Sequence, residues 1–171
     1  MNTPFEIEHK YLIAFPDLEQ LRQRSTEIWE IAQTYLLAPQ NVTERVRRVL
    51  CDGITTYFHT EKRRINALRC EEREQIIDLP AYTRLMQKKI PQSRTVEKTR
   101  YRLLWAGRTV EIDVYPFWRD RAIMEIEVER EDAPVELPPF VRVYKEVTED
   151  RRYKNAALAL EIVAEPIFGE K

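Results

Sequence analysis

Four short segments place carboxylates two residues apart: Glu6 and Glu8, Glu72 and Glu74, Glu111 and Asp113, and Glu125 and Glu127. Cations recur at the same spacing in Arg45 and Arg47 and in Lys98 and Arg100, while Lys10 follows Glu8 by two and Lys62 follows Thr60 by two. In an extended chain such pairs project to one side, about 6.5 to 7 Å apart. Two carboxylates so placed can address one divalent cation or two neighbouring ones; without metal they repel and raise one another's pKa. Rows of Lys and Arg suit an anion with several charges, such as linked phosphoryl groups. His9 and His59 are the only histidines, so a histidine-based active site or a multi-histidine metal site is not expected, and any metal is expected to be hard and held by carboxylates. Cys51 and Cys70 are too few for a disulfide framework and read as reduced structural thiols.

The elements that must carry these residues are mostly strands, because the dominant period is two. Alternation marks strands over 5–13, 28–37, 42–51, 54–63, 70–78, 94–104, 108–115 and 122–130. Asp52-Gly53 and Ala106-Gly107 read as hairpin turns. Short helices are expected over 17–25, after Asp17, over 80–89, opened by Pro80 and ended by Pro91, and over 149–161, with Thr148 as N-cap. Residues 134–139, with three prolines, read as a loop. A meander of about eight strands and three helices points to an antiparallel barrel or a strongly curved sheet.

In an ordinary half-buried strand the charges face water and the apolar residues the core. Two features argue for the reverse. The charges are sorted by strand, with carboxylates at 6–8, 111–113 and 125–129 and cations at 45–47 and 98–102, where a solvated surface mixes its signs. The apolar faces are rich in Ile, Val, Leu and Tyr, and three helices are available to cover them from outside. A barrel with a charged lumen satisfies both facts. Its charges then need partners, ions or a charged ligand, and a polyphosphate with divalent metal is such an occupant.

Composition narrows the classes further. A chain of 171 residues, 43% hydrophobic and 33% charged, is globular rather than disordered, and one domain over 1–171 is expected. The net charge of −1 divides into +4 up to Leu104 and −5 after it, without the positive excess of a non-specific nucleic-acid binder. No apolar run approaches a membrane span, and MNTPFEIEHK lacks the basic-then-apolar pattern of a signal peptide, so a cytoplasmic location with neither nucleic-acid nor membrane partner is expected. His9, opposite the Glu6 face, is expected outside a tunnel, and Trp29, Trp105 and Trp118 read as packing residues rather than a base platform.

With these segments in view, the chain resembles the CYTH superfamily, the triphosphate tunnel metalloenzymes. EIEHK at 6–10 matches its ExExK signature. RVR at 45–47, TEK at 60–62, EKTRY at 97–101, VEID at 110–113, EIEVE at 125–129 and EVTEDRRYKNAALA at 146–159 follow in the family's order. The likeness runs from Phe5 to about Leu160 and is greatest to small bacterial members. It implies a mainly β fold: an eight-stranded antiparallel tunnel with a charged lumen, flanked by a few short helices. It implies Glu6, Glu8, Glu125 and Glu127 as metal ligands for Mg or Mn. Lys10, Arg45, Arg47, Lys62, Lys98 and Arg100 would hold phosphates, with Glu6, Glu8 and Lys10 at the chemistry. Glu72, Glu74, Glu111 and Asp113 would be further lumen carboxylates. The last helical segment can plug one tunnel mouth, which makes Lys154 a phosphate contact. One departure is visible: where the family often has a basic residue two before the first glutamate of the fifth strand, this chain has Cys70, with Arg69 beside it.

The activity implied is metal-dependent hydrolysis of a small polyanionic triphosphate, inorganic tripolyphosphate first, by a monomer or homodimer. Nucleoside or thiamine triphosphate hydrolysis, and cyclisation as in class IV adenylyl cyclases, are the enzymatic alternatives; the His-Phe pair of those cyclases is absent near the N-terminus. A non-catalytic polyphosphate-binding module is the alternative of another class, against which stand the intact carboxylates on both the first and last strands.

Overall fold

The computed structural model describes residues 5–167, so Met1–Pro4, part of the segment read for a leader, lie outside the described residues. Nine strands form one antiparallel sheet: β1 (Phe5–Ala14), β2 (Glu27–Leu36), β3 (Val42–Cys51), β4 (Ile54–Arg64), β5 (Arg69–Ile77), β6 (Val96–Trp105), β7 (Arg108–Val114), β8 (Arg121–Glu127) and β9 (Val143–Glu146). Their order is β5-β4-β3-β2-β6-β7-β8-β1-β9, and a further pairing of β5 with β1 closes the first eight into a barrel. β1 makes that closure by dividing its length. Residues 8–14 pair with β8 along one edge; on the other edge Phe5–Ile7 pair with β5 and Tyr11–Ile13 with β9. Between these two segments the Glu8 N–H donates to the Leu68 carbonyl at 3.3 Å and the Lys10 N–H to Thr148 Oγ1 at 3.0 Å.

Local chemistry sets the turns. Asp52 and Gly53, with φ of 49° and 77°, and Ala106 and Gly107, with 49° and 74°, both have the two positive φ values that a two-residue hairpin needs. Asp17 caps α1 (Leu18–Arg24) by accepting from Glu19 N and Gln20 N, and Asp78 caps α2 (Leu79–Met86), with Pro80 in its first turn.

Strand parity divides the barrel into two faces. The outer face, including Tyr11, Ile13, Tyr101, Leu103, Val110, Ile112, Met124 and Ile126, is covered by Leu18 and Leu21 of α1 and by Val135, Phe140 and Val141. Burial of each such side chain is worth about 1.5–3 kcal/mol. The inner face is apolar at one end: Leu12, Tyr35, Val96, Tyr115 and Ile123 share parity with the inward charges and pack on Tyr153, Leu158 and Ala159 of the C-terminal segment. Beyond them the lumen is charged.

Four expectations change. The helix over 149–161 is instead a 3-10 turn, Arg151–Tyr153, and a four-residue helix, α3 (Asn155–Leu158). Thr148 is not its N-cap, because its hydroxyl serves Lys10 N and donates to Glu146 Oε1 at 2.7 Å; Asp150 caps the 3-10 turn. Helices do not all wrap the outside: α3 plugs the inside and α2 buries no residue, so α1 and a loop carry the external packing. The last long strand stops at Glu127, and Glu129 turns out to pair with Arg108 at 2.9 Å. β9, after the proline-rich loop, has no expectation behind it.

Candidate active site

The charged lumen is a cavity of about 400 Å³. Alternation brings Glu6, Glu8 and Lys10 to it from β1, Arg45 and Arg47 from β3, Lys62 from β4, Glu72 and Glu74 from β5, Arg100 from β6, Glu111 from β7 and Glu125 and Glu127 from β8. Lys154 reaches it from the plug. Lys98 and Asp113 do not line it. They point inward but lie below its surface, each side chain 1% exposed and joined Nζ to Oδ2 at 2.7 Å, with the Lys98 ammonium 6.0 Å from the Tyr115 ring. They sit at the boundary with the apolar plug, beneath the cavity wall.

Register decides the neighbours. Glu8 lies opposite Glu127 and Lys10 opposite Glu125 on the β1–β8 ladder, and Glu111 opposite Glu125 on β7–β8, so carboxylates crowd one wall. Arg45 faces Thr60, Lys62 faces Glu72 and Thr60 faces Glu74 on the other. Ion pairs between neighbouring and next-neighbouring strands follow: Lys62 Nζ to Glu6 at 2.9 Å and to Glu72 at 3.6 Å, Arg47 to Glu74 at 2.9 Å, Arg45 to Glu72 at 3.9 Å, and Lys10 to Glu125 at 3.5 Å. Asp113 clamps Arg100 through Nε at 2.7 Å and Nη2 at 2.8 Å, turning its Nη1 to Glu111 at 3.2 Å.

These contacts set the protonation pattern. Burial, with Glu125 and Glu6 nearby, pushes Glu8 up to about 8 against the opposing pull of Lys62 and Lys10. Burial also raises Glu72, to about 7, together with its hydrogen bond to Glu6. Burial alone would raise Glu6, but that hydrogen bond and the Lys62 ammonium outweigh it and hold Glu6 at about 2. Against the same cost of burial, Lys10 and Arg100 hold Glu125 well below the usual range. Burial, Glu6 and Glu111 raise Glu127. The crowding of oxygen-only donors is what a hard divalent cation relieves, so the residues fit such an ion. The Nε atoms of Arg45 and Arg47 are buried without a partner among the described residues, the mark of a basic wall waiting for acceptors.

Several lining residues carry no site role in the reading of the sequence: Trp29, Tyr35, Arg64, Arg69, Arg102, Thr148 and Asn155. Arg64 and Arg102 were legible, since they continue the alternation of Lys62 and Arg100; Arg69 opens β5, Thr148 follows β9 and Asn155 opens α3, and none of these three had a periodic signal. Cys70 also lines the cavity, opposite Glu6 on β1 and Arg64 on β4. His9 lies outside as expected, its Nδ1 2.6 Å from Glu146. A separate grouping of Glu44, His59 and Glu61 has ligand atoms within 4.8 Å of one another, but on the outward parity of β3 and β4 and with Lys88 Nζ 3.7 Å from Glu44.

No family model matches the chain. Over 160 residues it is 37% identical to the inorganic triphosphatase of Nitrosomonas europaea, spanning 92% of this chain and 98% of that protein. The crystal structure of the inorganic triphosphatase NE1496 is similar with a TM-score of 0.57 and 34% identity, over 96% of this chain and 99% of that one. PH1819 from Pyrococcus horikoshii OT3 has the same fold at a TM-score of 0.57, 22% identity and coverage of 74% and 80%. Likeness along nearly the full length of a relative, in a closed barrel with the charges turned inward, places this chain in the inorganic triphosphatase family of the CYTH, or triphosphate tunnel, superfamily.

Proposed function

We propose that the protein hydrolyses inorganic tripolyphosphate to pyrophosphate and phosphate in a reaction that requires Mg or Mn. One observation carries this reading: a single cavity presents Glu6, Glu8, Glu125 and Glu127 together with Arg45, Arg47, Lys62 and Arg100. The four carboxylates are the metal ligands, and the ion, when bound, supplies charge neutralisation and acidifies water. Lys10, Arg45, Arg47, Lys62 and Arg100 hold phosphate oxygens, replacing their present carboxylate partners with charge-assisted contacts to substrate, and Lys154 adds a further cation from the plug. Asp113 and Lys98 act from beneath, fixing Arg100. Phosphoryl transfer of this kind asks chiefly for in-line positioning and charge balance. Water forms a new bond to phosphorus, the bridging P–O bond breaks, and the attacking water loses a proton. Glu72, a lumen carboxylate beside Glu6, is placed to accept that proton.

Support for an inorganic substrate comes from Trp29. It lines the cavity, but one face of its ring is taken by the Arg102 guanidinium, 4.5 Å from the centroid, which leaves a poorer platform for a base. Two unpaired cysteines accord with a cytoplasmic location, and one continuous sheet enclosing the site accords with a single catalytic domain. The deciding experiment is phosphate release from tripolyphosphate, ATP and thiamine triphosphate with Mg or Mn. Tripolyphosphate is expected to be turned over with the highest kcat/KM; no metal-dependent release from it, or a preference for either organic substrate, overturns the reading.

A further inference from the structure

We infer that Arg64 and Lys154 build an anion subsite at the plugged end of the lumen, with Arg64 as an additional substrate-binding residue that takes a terminal phosphoryl group; this rests on the triphosphatase reading. Most other lumen cations have a carboxylate to answer them: Arg47 has Glu74, Lys62 has Glu6, and Arg100 has Glu111 and Asp113, while Arg69 stacks its guanidinium on the Phe5 ring at 4.0 Å. Arg64 and Lys154 line the same cavity and form no ion pair among the described residues. Arg64 Nε donates to the Asn66 carbonyl at 3.1 Å, which anchors the side chain and leaves its terminal nitrogens for a ligand. The two cations feel each other: burial and the charges of Arg64 and Lys10 pull Lys154 down to about 8.

The surroundings suit an anion. Directly opposite Arg64 on the β4–β5 ladder stands Cys70, a short uncharged side chain that leaves room and offers no competing carboxylate. Asn155, beside Lys154, accepts from the Tyr115 hydroxyl at 2.6 Å through Oδ1, so its amide nitrogen remains a donor at the cavity wall. Half-buried like charges without a counter-ion are unfavourable, and a phosphoryl group between them converts the repulsion into two charge-assisted contacts. The strand position that faces Arg64 also supplies the test. An arginine placed at residue 70 would project into the space that Arg64 serves.

The experiment compares wild type with Arg64→Ala, Arg64→Lys and Arg64→Ala/Cys70→Arg. It measures KM and kcat for tripolyphosphate, and tripolyphosphate binding by calorimetry on metal-free protein. Arg64→Ala is expected to raise KM and Kd about tenfold or more with a smaller change in kcat. Arg64→Lys and the double variant should recover most of the loss, which a merely structural arginine would not allow. Unchanged KM and Kd in Arg64→Ala, or a loss that neither Lys nor the relocated Arg restores, overturns the subsite. If wild type releases no phosphate yet binds tripolyphosphate in an Arg64-dependent way, the catalytic reading fails and the subsite stands. Should Arg64→Ala not fold, Arg64→Lys and the double variant carry the same comparison.

Discussion

Glu8 and Glu127 stand directly opposite one another across the β1–β8 ladder, both turned into the lumen. Two carboxylates in register on neighbouring strands are a costly arrangement without a cation between or beside them. Glu8 shows the cost: burial, with Glu125 and Glu6 nearby, places it at about 8, far above its ordinary 4.5. Because its folded value is raised, metal-free protein should lose stability as pH rises from about 4.5 through 8. Glu8→Gln removes both the charge and that slope. We expect the variant, in chelator, to melt about 3 °C or more above wild type at pH 8 and to lose metal-dependent turnover. Melting curves across pH, paired with phosphate release, check this; a Glu8→Gln protein with wild-type turnover would sink the metal-site assignment.

Arg47 is buried against Glu74 at 2.9 Å, with its guanidinium 5.5 Å from the Phe58 ring. Burial and the neighbouring charge of Arg45 pull it down to about 10, so it gains from a polyanion that neutralises this wall. Each charge-assisted contact is worth roughly 1.5 to 3 kcal/mol. Arg45→Ala/Arg47→Ala should therefore raise KM for tripolyphosphate by at least tenfold. Solvated surface arginines would cost almost nothing, so steady-state kinetics of the double variant separate the two outcomes.

Asp113, itself out of solvent, accepts from two nitrogens of Arg100 and from the Lys98 ammonium. Removing one member of such a buried set leaves an uncompensated charge, at a cost of about 3 to 5 kcal/mol. Asp113→Asn should lower the melting temperature by roughly 6 °C or more and raise KM, because Arg100 loses its orientation. The metal concentration for half-maximal activity should stay as in wild type, since Asp113 does not line the cavity. A large rise in that metal requirement would instead make Asp113 a metal ligand.

Lys154 gives a pH dependence of definite sign. Burial and the cations Arg64 and Lys10 pull it down to about 8, below its ordinary 10.5. The folded protein carries the cost of its charge below about 8, and that cost is relieved as pH rises from 8 to 10.5. Substrate binding has the opposite preference, because only the ammonium attracts phosphate. KM for tripolyphosphate should rise above about pH 8, and Lys154→Arg, which stays charged, should flatten that rise. KM profiles of the two proteins from pH 7 to 9.5 decide it; parallel profiles would exclude Lys154 from the contact.

Eight of the nine strands, the hairpin turns at Asp52-Gly53 and Ala106-Gly107 and the face on which each strand charge lies are legible in the residue order. A period of two carries that information locally: Glu6, Glu8 and Lys10 must share a side whatever the fold, and Asp52-Gly53 must turn. Sorting of charge by strand further told that the polar face was the inner one, and the ExExK resemblance named the family. Tertiary structure decided what those faces meet. Register around the closed barrel set Glu8 against Glu127 and Arg64 against Cys70, relations between residues far apart in the chain that no local period encodes. It also divided the inward charges into those at the cavity and those, Lys98 and Asp113, sealed beneath it, because the depth at which the plug fills the lumen depends on Tyr115 packing with Tyr153 and Leu158, two segments far apart in the chain. The expected long helix over 149–161 failed for the same reason: Thr148 finds better hydrogen bonds in the β1 edge than at a helix start, and the chain turns inward to plug the barrel instead.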